Sequence, residues 1–217
     1  MKVKILDWDS HFFNKKIGVI EVADEDEFFL DLDRFDLLYI KQKEDKSIEI
    51  NNFMQNYTET RVVFSKSISK SNVPLNNFIF SIFDTNANKE QIYKLAFESG
   101  KFSRFKLDNN FQQNEFEALY KIWVDNSFSK EIADDILVYK EQSAILGFIT
   151  YKIIENYAII GLLGVCYEQQ GKGIGRKLLE AVENVLSDKQ IKELRIPTQL
   201  QNELACGFYI KLGYNII

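Results

Sequence analysis

The chain has 217 residues, of which 46% are hydrophobic and 14% aromatic, enough for one large core or for a domain with a smaller companion. Its formal net charge of −5 argues against a nucleic-acid partner, and no membrane-length apolar run or signal peptide is evident. Two cysteines and one histidine are too few for a disulfide framework or a zinc site. We therefore expect a soluble cytoplasmic protein that holds no metal.

The first third of the chain has the pattern of a small α/β unit. Its strand candidates are rich in aromatic and β-branched residues and cover 17–22, 37–41 and 60–69. Its candidate helices cover 24–35 and 48–57. In the segment WDSHFF, the aromatic residues Trp8, Phe12 and Phe13 are expected in the core. We predict that this N-terminal subdomain covers residues 1–75.

Residues 76–217 are predicted to form a second domain. A strand over 76–84 precedes two helices, over 88–98 and in the latter half of 99–128, and the residues around Ser103 to Asp108 have the composition of a loop. Three antiparallel strands should follow, at 136–141, 145–153 and 157–165. After a glycine-rich turn come a helix, a strand at 193–197 and a final helix at 204–212. Gly213 suits the position just after that helix.

The glycine-rich turn has the features of an anion site. Gly171, Gly173 and Gly175 lead into a helix whose first N–H groups are unpaired and whose dipole favours negative charge. Glycines let the backbone approach a phosphate or pyrophosphate closely. The spacing does not fit a Rossmann turn, because Arg176 stands where the third glycine belongs, and it does not fit a P-loop either.

The turn resembles the acyl-CoA loop of the GNAT superfamily of N-acetyltransferases, Q/R-x-x-G-x-G/A. Gln170, Gly173 and Gly175 occupy its fixed positions, and Val165 stands five residues upstream as in that family. The resemblance implies acetyl-CoA as cosubstrate. The residues that it implies as cofactor-binding are Leu163, Gly164, Val165, Gln170, Gly171, Lys172, Gly173, Ile174, Gly175 and Arg176. A strand-to-helix turn without a ligand is the alternative.

A second motif lies in the final helix and reads N-x-x-A-x-x-F-Y-x-x-x-G-Y. Asn202, Ala205 and Tyr209 share one helix face, and the motif looks like the C-terminal signature of GNAT enzymes. That resemblance implies that Asn202 and Ala205 contact the cofactor and that Tyr209 acts as general acid toward the CoA sulfur. The alternative for Tyr209 is a packed aromatic residue. Together the motifs imply an α/β (α+β) protein of GNAT fold, with a mixed, largely antiparallel twisted sheet flanked by helices.

The implied reaction needs a base for the amine, a donor for the oxyanion and an acid for the thiolate. By resemblance, the backbone N–H near Val165 serves the oxyanion, at a point where two parallel strands splay apart. The base stays open, because the strand at 157–165 carries no carboxylate where many relatives have a glutamate. His11, Glu168 and a water-relayed base remain alternatives, and none is assigned.

Three further segments, at 8–13, 103–105 and 194–202, resemble the TDP-fucosamine acetyltransferases of cell-surface polysaccharide biosynthesis. That resemblance implies the amino group of a nucleotide-linked amino sugar as acceptor, with Arg104 and Phe105 as substrate-binding residues. Arg104 would then meet the nucleotide diphosphate, unless it is a solvated loop arginine. A protein N-terminus or a polyamine is an alternative acceptor, and a CoA-binding sensor without turnover is an alternative function.

The sequence departs from the GNAT pattern at its end. GNAT domains normally add a strand after the second motif, whereas three residues follow Tyr214 here. Two alternatives follow: the sequence is clipped before that strand, or the sheet closes differently, for instance with a strand from the partner in a homodimer.

Overall fold

The computed structural model describes residues 3–22, 32–43, 48, 50–69 and 76–217. The chain divides into two units, Met1–Asn56 and Tyr57–Ile217. In the first unit, a three-stranded sheet has the order β1-β2-β3, in which β2 is antiparallel to β1 and parallel to β3. Its elements are β1 (Lys4–Ile5), α1 (Asp7–Phe13), β2 (Ile17–Glu21) and β3 (Leu37–Lys41).

The core of the first unit differs in one place from the sequence prediction. Phe13 is buried as expected, but Trp8 is 52% exposed and stacks on Phe12 with ring centroids 5.1 Å apart. Trp8 and Phe12 lie one turn apart on α1 and so cover each other, and Phe12 also contacts the buried ring of Phe13 edge-on, with centroids 4.8 Å apart. The candidate helix at 24–35 falls mainly outside the described residues, and the described part of 48–57 contains no helix.

The second unit is built on a seven-stranded sheet of order β10-β4-β9-β8-β7-β6-β5, in which only β8 and β9 pair in parallel. Its strands are β4 (Arg61–Ser67), β5 (Ile79–Ser81), β6 (Asp135–Glu141), β7 (Ala144–Ile154), β8 (Tyr157–Val165), β9 (Glu193–Gln199) and β10 (Asn215–Ile216). Its helices are α2 (Lys89–Ser99), α3 (Arg104–Leu107), α4 (Gln113–Phe128), α5 (Ile174–Asp188) and α6 (Glu203–Lys211). The predicted mixed, largely antiparallel sheet flanked by helices is confirmed.

Helices cover both faces of this sheet. On one face, α5 buries Ile174, Leu178, Val182 and Leu186, the apolar stripe that its spacing predicts. On the other face, α2 lies directly on β8: a Cβ added at Gly164 would stand 2.4 Å from the carbonyl oxygen of Leu95. Because successive strand residues face opposite sides, α2 and α5 enclose β8 between them. None of the helices in the described part of the chain could span a membrane.

The strand predicted at 60–69 forms as β4, but it belongs to the large sheet. It pairs antiparallel with β9 from Arg61 opposite Gln199 to Ser67 opposite Glu193. The division between the units therefore lies at residue 56, earlier than the predicted boundary at residue 75, because a ladder between such distant segments leaves no local sequence signal. This pairing occupies one edge of β9, and β10, which follows Tyr214, pairs with the far side of β4.

Two short segments also differ from the predicted elements. The segment predicted as a loop around Ser103 to Asp108 contains the single-turn helix α3. The strand expected over 76–84 is confined to β5 and passes into a 3₁₀ turn, Ile82–Asp84, where the Ser81 hydroxyl accepts a hydrogen bond from the N–H of Phe83.

The contact at Gly164 gives a stability prediction. Gly164→Ala places a methyl group against backbone that cannot rotate away, and it should lower the free energy of unfolding by about 1–3 kcal/mol. Gly207→Ala, in α6, is the matched control, because its Cβ would meet nothing within 4 Å. It should leave stability unchanged or raise it by about 0.5–1 kcal/mol. Chemical denaturation of both variants checks this, and equal stabilities would contradict the packing of α2 on β8.

Candidate functional site

The gap between β8 and β9 is the central feature of the site. The two strands pair only at Tyr157–Glu193, Ala158–Leu194 and Ile159–Arg195. Both then continue, to Val165 and Gln199, without pairing with each other. Their carboxyl-terminal ends therefore diverge, and the backbone of β8 on this side has no strand to pair with.

A β-bulge in β8 lies at the start of the gap. Ile149 pairs with Leu163 and Tyr151 with Ile160, so Thr150 alone faces both Gly161 and Leu162. The hydroxyl oxygen of Thr150, which is 2% exposed, accepts a hydrogen bond of 2.8 Å from the N–H of Leu162. The buried hydroxyl thus satisfies the backbone donor that the bulge removes from the ladder.

Beyond the bulge, alternate backbone groups of β8 face the gap. The N–H of Cys166 donates to the carbonyl of Leu146 in β7 at 2.8 Å. Because backbone groups alternate along an antiparallel strand, the N–H groups of Leu163 and Val165 point the other way, into the gap. The carbonyl of Val165 is already used, since it accepts a hydrogen bond from the side-chain amide of Gln170 at 3.2 Å.

The glycine loop joins β8 to α5 at one side of the gap. Gly171 and Gly173 have φ values of 77° and 81°, in the left-handed region that favours glycine. Gly173 is the N-cap of α5, and a Cβ added at either glycine would meet nothing within 4 Å, so the space before the loop is open. Apart from Lys177, whose N–H donates to Gly173, the N–H groups of the first helical turn have no backbone acceptor among the described residues. This end of α5 can therefore accept an anion.

The second motif lies beside the loop. A Cβ at Gly175 would stand 3.3 Å from the ring of Phe208 and 3.8 Å from Val165, so α5, α6 and the end of β8 meet here. Asn202 caps α6, because its side-chain oxygen accepts the N–H of Ala205 at 3.2 Å. Its amide oxygen therefore has a structural partner within the motif.

Tyr209 is the buried phenol of the site. Its ring is 6% exposed and packs against Phe64, Phe208 and Tyr214, with centroid distances of 5.4, 5.4 and 6.2 Å. Among the described residues, the structure gives its hydroxyl no hydrogen-bond partner. Burial, with a smaller contribution from Cys206, raises its pKa above the usual value. Tyr209 is therefore protonated at neutral pH, and its hydroxyl is available as a hydrogen-bond donor.

Comparison with known proteins identifies the family. The model of the acetyltransferase (GNAT) family matches residues 91–214. The chain belongs to the GNAT family. Its chemistry is therefore that of an acetyl-CoA-dependent N-acetyltransferase, and the expected fold and cosubstrate are confirmed.

The chain is also similar to individual proteins. Over 112 residues the chain is 30% identical to spermidine N(1)-acetyltransferase of Thermoplasma acidophilum. The alignment covers 46% of this chain and 70% of that enzyme. The structure of PaiA N-acetyltransferase from the same organism, solved with coenzyme A, is 25% identical in sequence and superposes with a TM-score of 0.49. The superposition covers 61% of this chain and 87% of the PaiA chain. A conserved protein of Staphylococcus epidermidis shares the fold at 15% sequence identity, with a TM-score of 0.51. The superposition covers 72% of this chain and 57% of the Staphylococcus chain. Other curated relatives are matched over 37% to 65% of their length.

The two residues expected to bind the acceptor of this GNAT enzyme differ in environment. Phe105 is 9% exposed and packs edge-on against Phe111 and Trp123, so its ring belongs to the aromatic core between α3 and α4. The guanidinium of Arg104 stacks on Phe105 and forms an ion pair with Glu59, with 3.8 Å between nitrogen and oxygen. Arg104 is therefore a partnered residue, in contrast to the solvated loop arginine considered from the sequence.

Candidate bases are also placed by the structure. Glu168 lies in the 3₁₀ turn after β8, where the thiol of Cys166 donates to its carboxylate at 2.9 Å and lowers the pKa of that carboxyl group. His11 lies in the last turn of α1, in the first unit. Sequence reasoning missed Thr150 and Glu59. Thr150 interrupts an otherwise apolar stretch of β7, which is a weak signal, whereas Glu59 belongs to no motif.

The bulge gives a prediction that separates hydrogen bonding from volume. Thr150→Val keeps the volume but leaves the N–H of Leu162 buried without its acceptor, so unfolding should become easier by about 1–3 kcal/mol. The KM for acetyl-CoA should also rise, because the gap begins at this bulge. Thr150→Ser keeps the acceptor and should cost only about 0.8 kcal/mol for the lost methyl group, with KM unchanged. Identical KM values in both variants would show that the bulge does not shape the cofactor site.

Proposed function

We propose that this GNAT enzyme transfers the acetyl group of acetyl-CoA to the amino group of a nucleotide-linked amino sugar, of the dTDP-4-amino-4,6-dideoxy-galactose type. The observation that carries the transfer is the gap between β8 and β9, bounded by an anion-accepting helix N-terminus and by a buried neutral phenol. The acceptor class rests on the three segments that resemble TDP-fucosamine acetyltransferases. Arg104, 32% exposed at its side chain, is the cation that we assign to the nucleotide diphosphate.

In this proposal the glycine loop binds the CoA pyrophosphate. Open space before Gly171 and Gly173 gives the phosphates direct access to backbone N–H groups. The tether from Gln170 to the carbonyl of Val165 fixes the loop relative to the strand. The pantetheine arm then runs into the gap, where it meets the unpaired backbone of β8.

The residues around the gap supply the remaining steps of a direct transfer. A neutral amine attacks the thioester carbonyl, and the N–H of Val165 donates to the developing oxyanion. Collapse of the tetrahedral intermediate breaks the C–S bond, and the departing thiolate takes the proton of Tyr209. A phenol on a buried ring, without another hydrogen-bond partner among the described residues, suits this role because its proton is not shared with another group.

A polyamine is the second candidate acceptor. Its support is the similarity to spermidine N(1)-acetyltransferase of Thermoplasma acidophilum, together with the net charge of −5. A thiol-release assay with dTDP- and UDP-linked amino sugars, spermidine and a peptide N-terminus separates the candidates. We expect the highest kcat/KM with a dTDP-linked amino sugar. A higher value with spermidine would favour the polyamine, and thiol release with none of the amines would favour a CoA-binding sensor.

The loop assignment predicts a large loss of cofactor affinity in Gly173→Asp. A carboxylate at this position meets the pyrophosphate, so the Kd for acetyl-CoA should rise by roughly a hundredfold, as expected for lost hydrogen bonds to a charged group. Gly213→Asp is the matched control, because Gly213 has a φ of 83° and equally open surroundings. Both variants carry the same left-handed strain, of about 1–2 kcal/mol. Calorimetry that shows equal affinities would refute the assignment of the loop.

The acid assignment predicts a rate effect without a stability effect in Tyr209→Phe. The variant keeps the ring packing but lacks the proton, so kcat should fall on the order of 10²-fold while acetyl-CoA affinity and Tm stay constant. Tyr214→Phe should behave in the opposite way, since the hydroxyl of Tyr214 donates to Glu183 at 2.7 Å. It should lower Tm and leave kcat unchanged. A Tyr209→Phe enzyme with wild-type kcat would remove Tyr209 from the mechanism.

A further inference from the structure

The segment Tyr57–Thr60 borders the open end of the gap on the β9 side. The carbonyl of Thr60 accepts the N–H of Leu200 at 2.8 Å, and the N–H of Thr60 donates to the side chain of Gln201 at 3.2 Å. Both partners lie directly after the last residue of β9. Glu59 is therefore held at the carboxyl-terminal edge of the sheet, next to the end of β9.

Arg104 borders the same end on the β8 side. Helix α2 packs on Gly164 near the end of β8, and Glu98, in the last turn of α2, acts electrostatically on Cys166, just past β8. The chain turns after Gly100 and reaches Arg104 within four residues, with the ring of Tyr120 packed against that turn. The Glu59–Arg104 ion pair thus joins the segment beside the end of β9 to the turn that follows α2, the helix that packs on the end of β8.

Glu59 has a defined polar environment. Its side chain is 19% exposed; one carboxylate oxygen lies 3.8 Å from Arg104, and the other accepts the hydroxyl of Tyr57 at 3.5 Å. Burial first, and then the charge of Glu59, raises the pKa of Tyr57 to about 12. Burial likewise raises the pKa of Tyr120, which faces Glu59 from α4, to about 12. Asp108 also acts on Tyr57, so the described charged groups that act on Tyr57 are two carboxylates and one guanidinium.

We propose that Glu59 binds the amino group of the acceptor and takes the proton that this group loses. The inference rests on the proposed acetyl transfer and adds the base that the sequence left open. The cofactor's phosphates enter from the α5 side, so the acceptor reaches the thioester from the α2 side, where Glu59 and Arg104 lie. An excess of one carboxylate over the guanidinium favours an ammonium group there.

The protons balance with those of solvent. The acceptor enters as an ammonium group and gives one proton to the carboxylate of Glu59; the neutral nitrogen then forms a bond to the acetyl carbon and loses its second proton to water as the amide forms. The C–S bond breaks and the thiolate receives its proton from Tyr209. Glu59 then releases its proton and Tyr209 regains one from solvent, so that one proton is released overall. Arg104 lies 3.8 Å from one oxygen of Glu59 and so fixes the position of the carboxylate. In this arrangement Arg104 is a positioning residue for Glu59, and its contact with a nucleotide diphosphate is a separate property.

The test is Glu59→Gln, assayed with whichever amine the wild-type enzyme acetylates best. At pH 7 kcat/KM should fall on the order of 10²-fold. The deficit should shrink as the pH approaches the amine's own pKa, about 10 for an alkylamine, because the substrate is then already neutral. Acetyl-CoA affinity and Tm should match those of the wild type. Glu131→Gln, at an exposed position after α4, is the matched control and should change nothing.

Three outcomes would overturn the proposal: wild-type kcat/KM in Glu59→Gln, a deficit that is the same at every pH, or an equal deficit in Glu131→Gln. If Glu59→Gln melts well below the wild type, Glu59→Asp replaces it. Glu59→Asp keeps the negative charge but moves the carboxylate back by one methylene group. Its kcat/KM should still fall by up to about 10²-fold, as expected for a catalytic group displaced by about 1 Å. A wild-type rate in Glu59→Asp would then overturn the proposal.

Arg104→Gln separates this inference from the proposed acceptor. If Arg104 only positions Glu59, kcat/KM should fall to a similar extent for every amine. A loss confined to nucleotide-linked amines would support the diphosphate contact and contradict a purely positioning role. Failure of the wild type on all amino sugars would refute the proposed acceptor but would leave the Glu59 test intact on another amine.

Discussion

The parallel ladder between β8 and β9 ends after three residue pairs, and the whole candidate site depends on that early end. The two strands are prevented from rejoining by separate contacts. β9 is held along its other edge by β4, in seven residue pairs that reach Gln199. β8 is held by β7, by the bulge at Gly161 and Leu162, and by α2 on its outer face. Because each strand has a full partner elsewhere, the backbone groups between them stay free for a ligand.

The chemistry of the gap follows from what lies at each end of it. The loop before α5 presents backbone N–H groups and the positive end of a helix dipole, which suits phosphate oxygens. Tyr209 presents a neutral donor in a buried environment, where a thiolate would otherwise be poorly stabilised. The Glu59–Arg104 ion pair lies beyond the end of β9. In the proposed transfer, anion binding, proton donation and proton acceptance are assigned to separate groups.

Much of the second unit could be predicted from the sequence because its signals are local. β8 has the predicted bounds, and the left-handed φ values of Gly171 and Gly173 agree with the choice of glycine there. The features that could not be predicted from the sequence depend on contacts between segments that are far apart along the chain. Nothing in residues 60–69 indicates that they pair beside β9, and nothing near Glu59 indicates Arg104 as its partner. Phe105 is another residue whose surroundings the sequence did not indicate. A resemblance to a family motif suggested a place near the acceptor, whereas its ring packs against Phe111 and Trp123 in the aromatic core.

Following the backbone amide resonances of the protein as coenzyme A is added tests most directly whether the gap is the cofactor site. If it is, the largest shifts occur at Leu163 and Val165, in the gap, and at Gly173, Ile174 and Gly175, at the start of α5. Shifts confined to the groove of about 220 Å³ between α5, β4 and the end of α6, near Lys66 and Lys211, would contradict it. In that case the cofactor would bind on the outer side of α5, and the gap between β8 and β9 would not be its site.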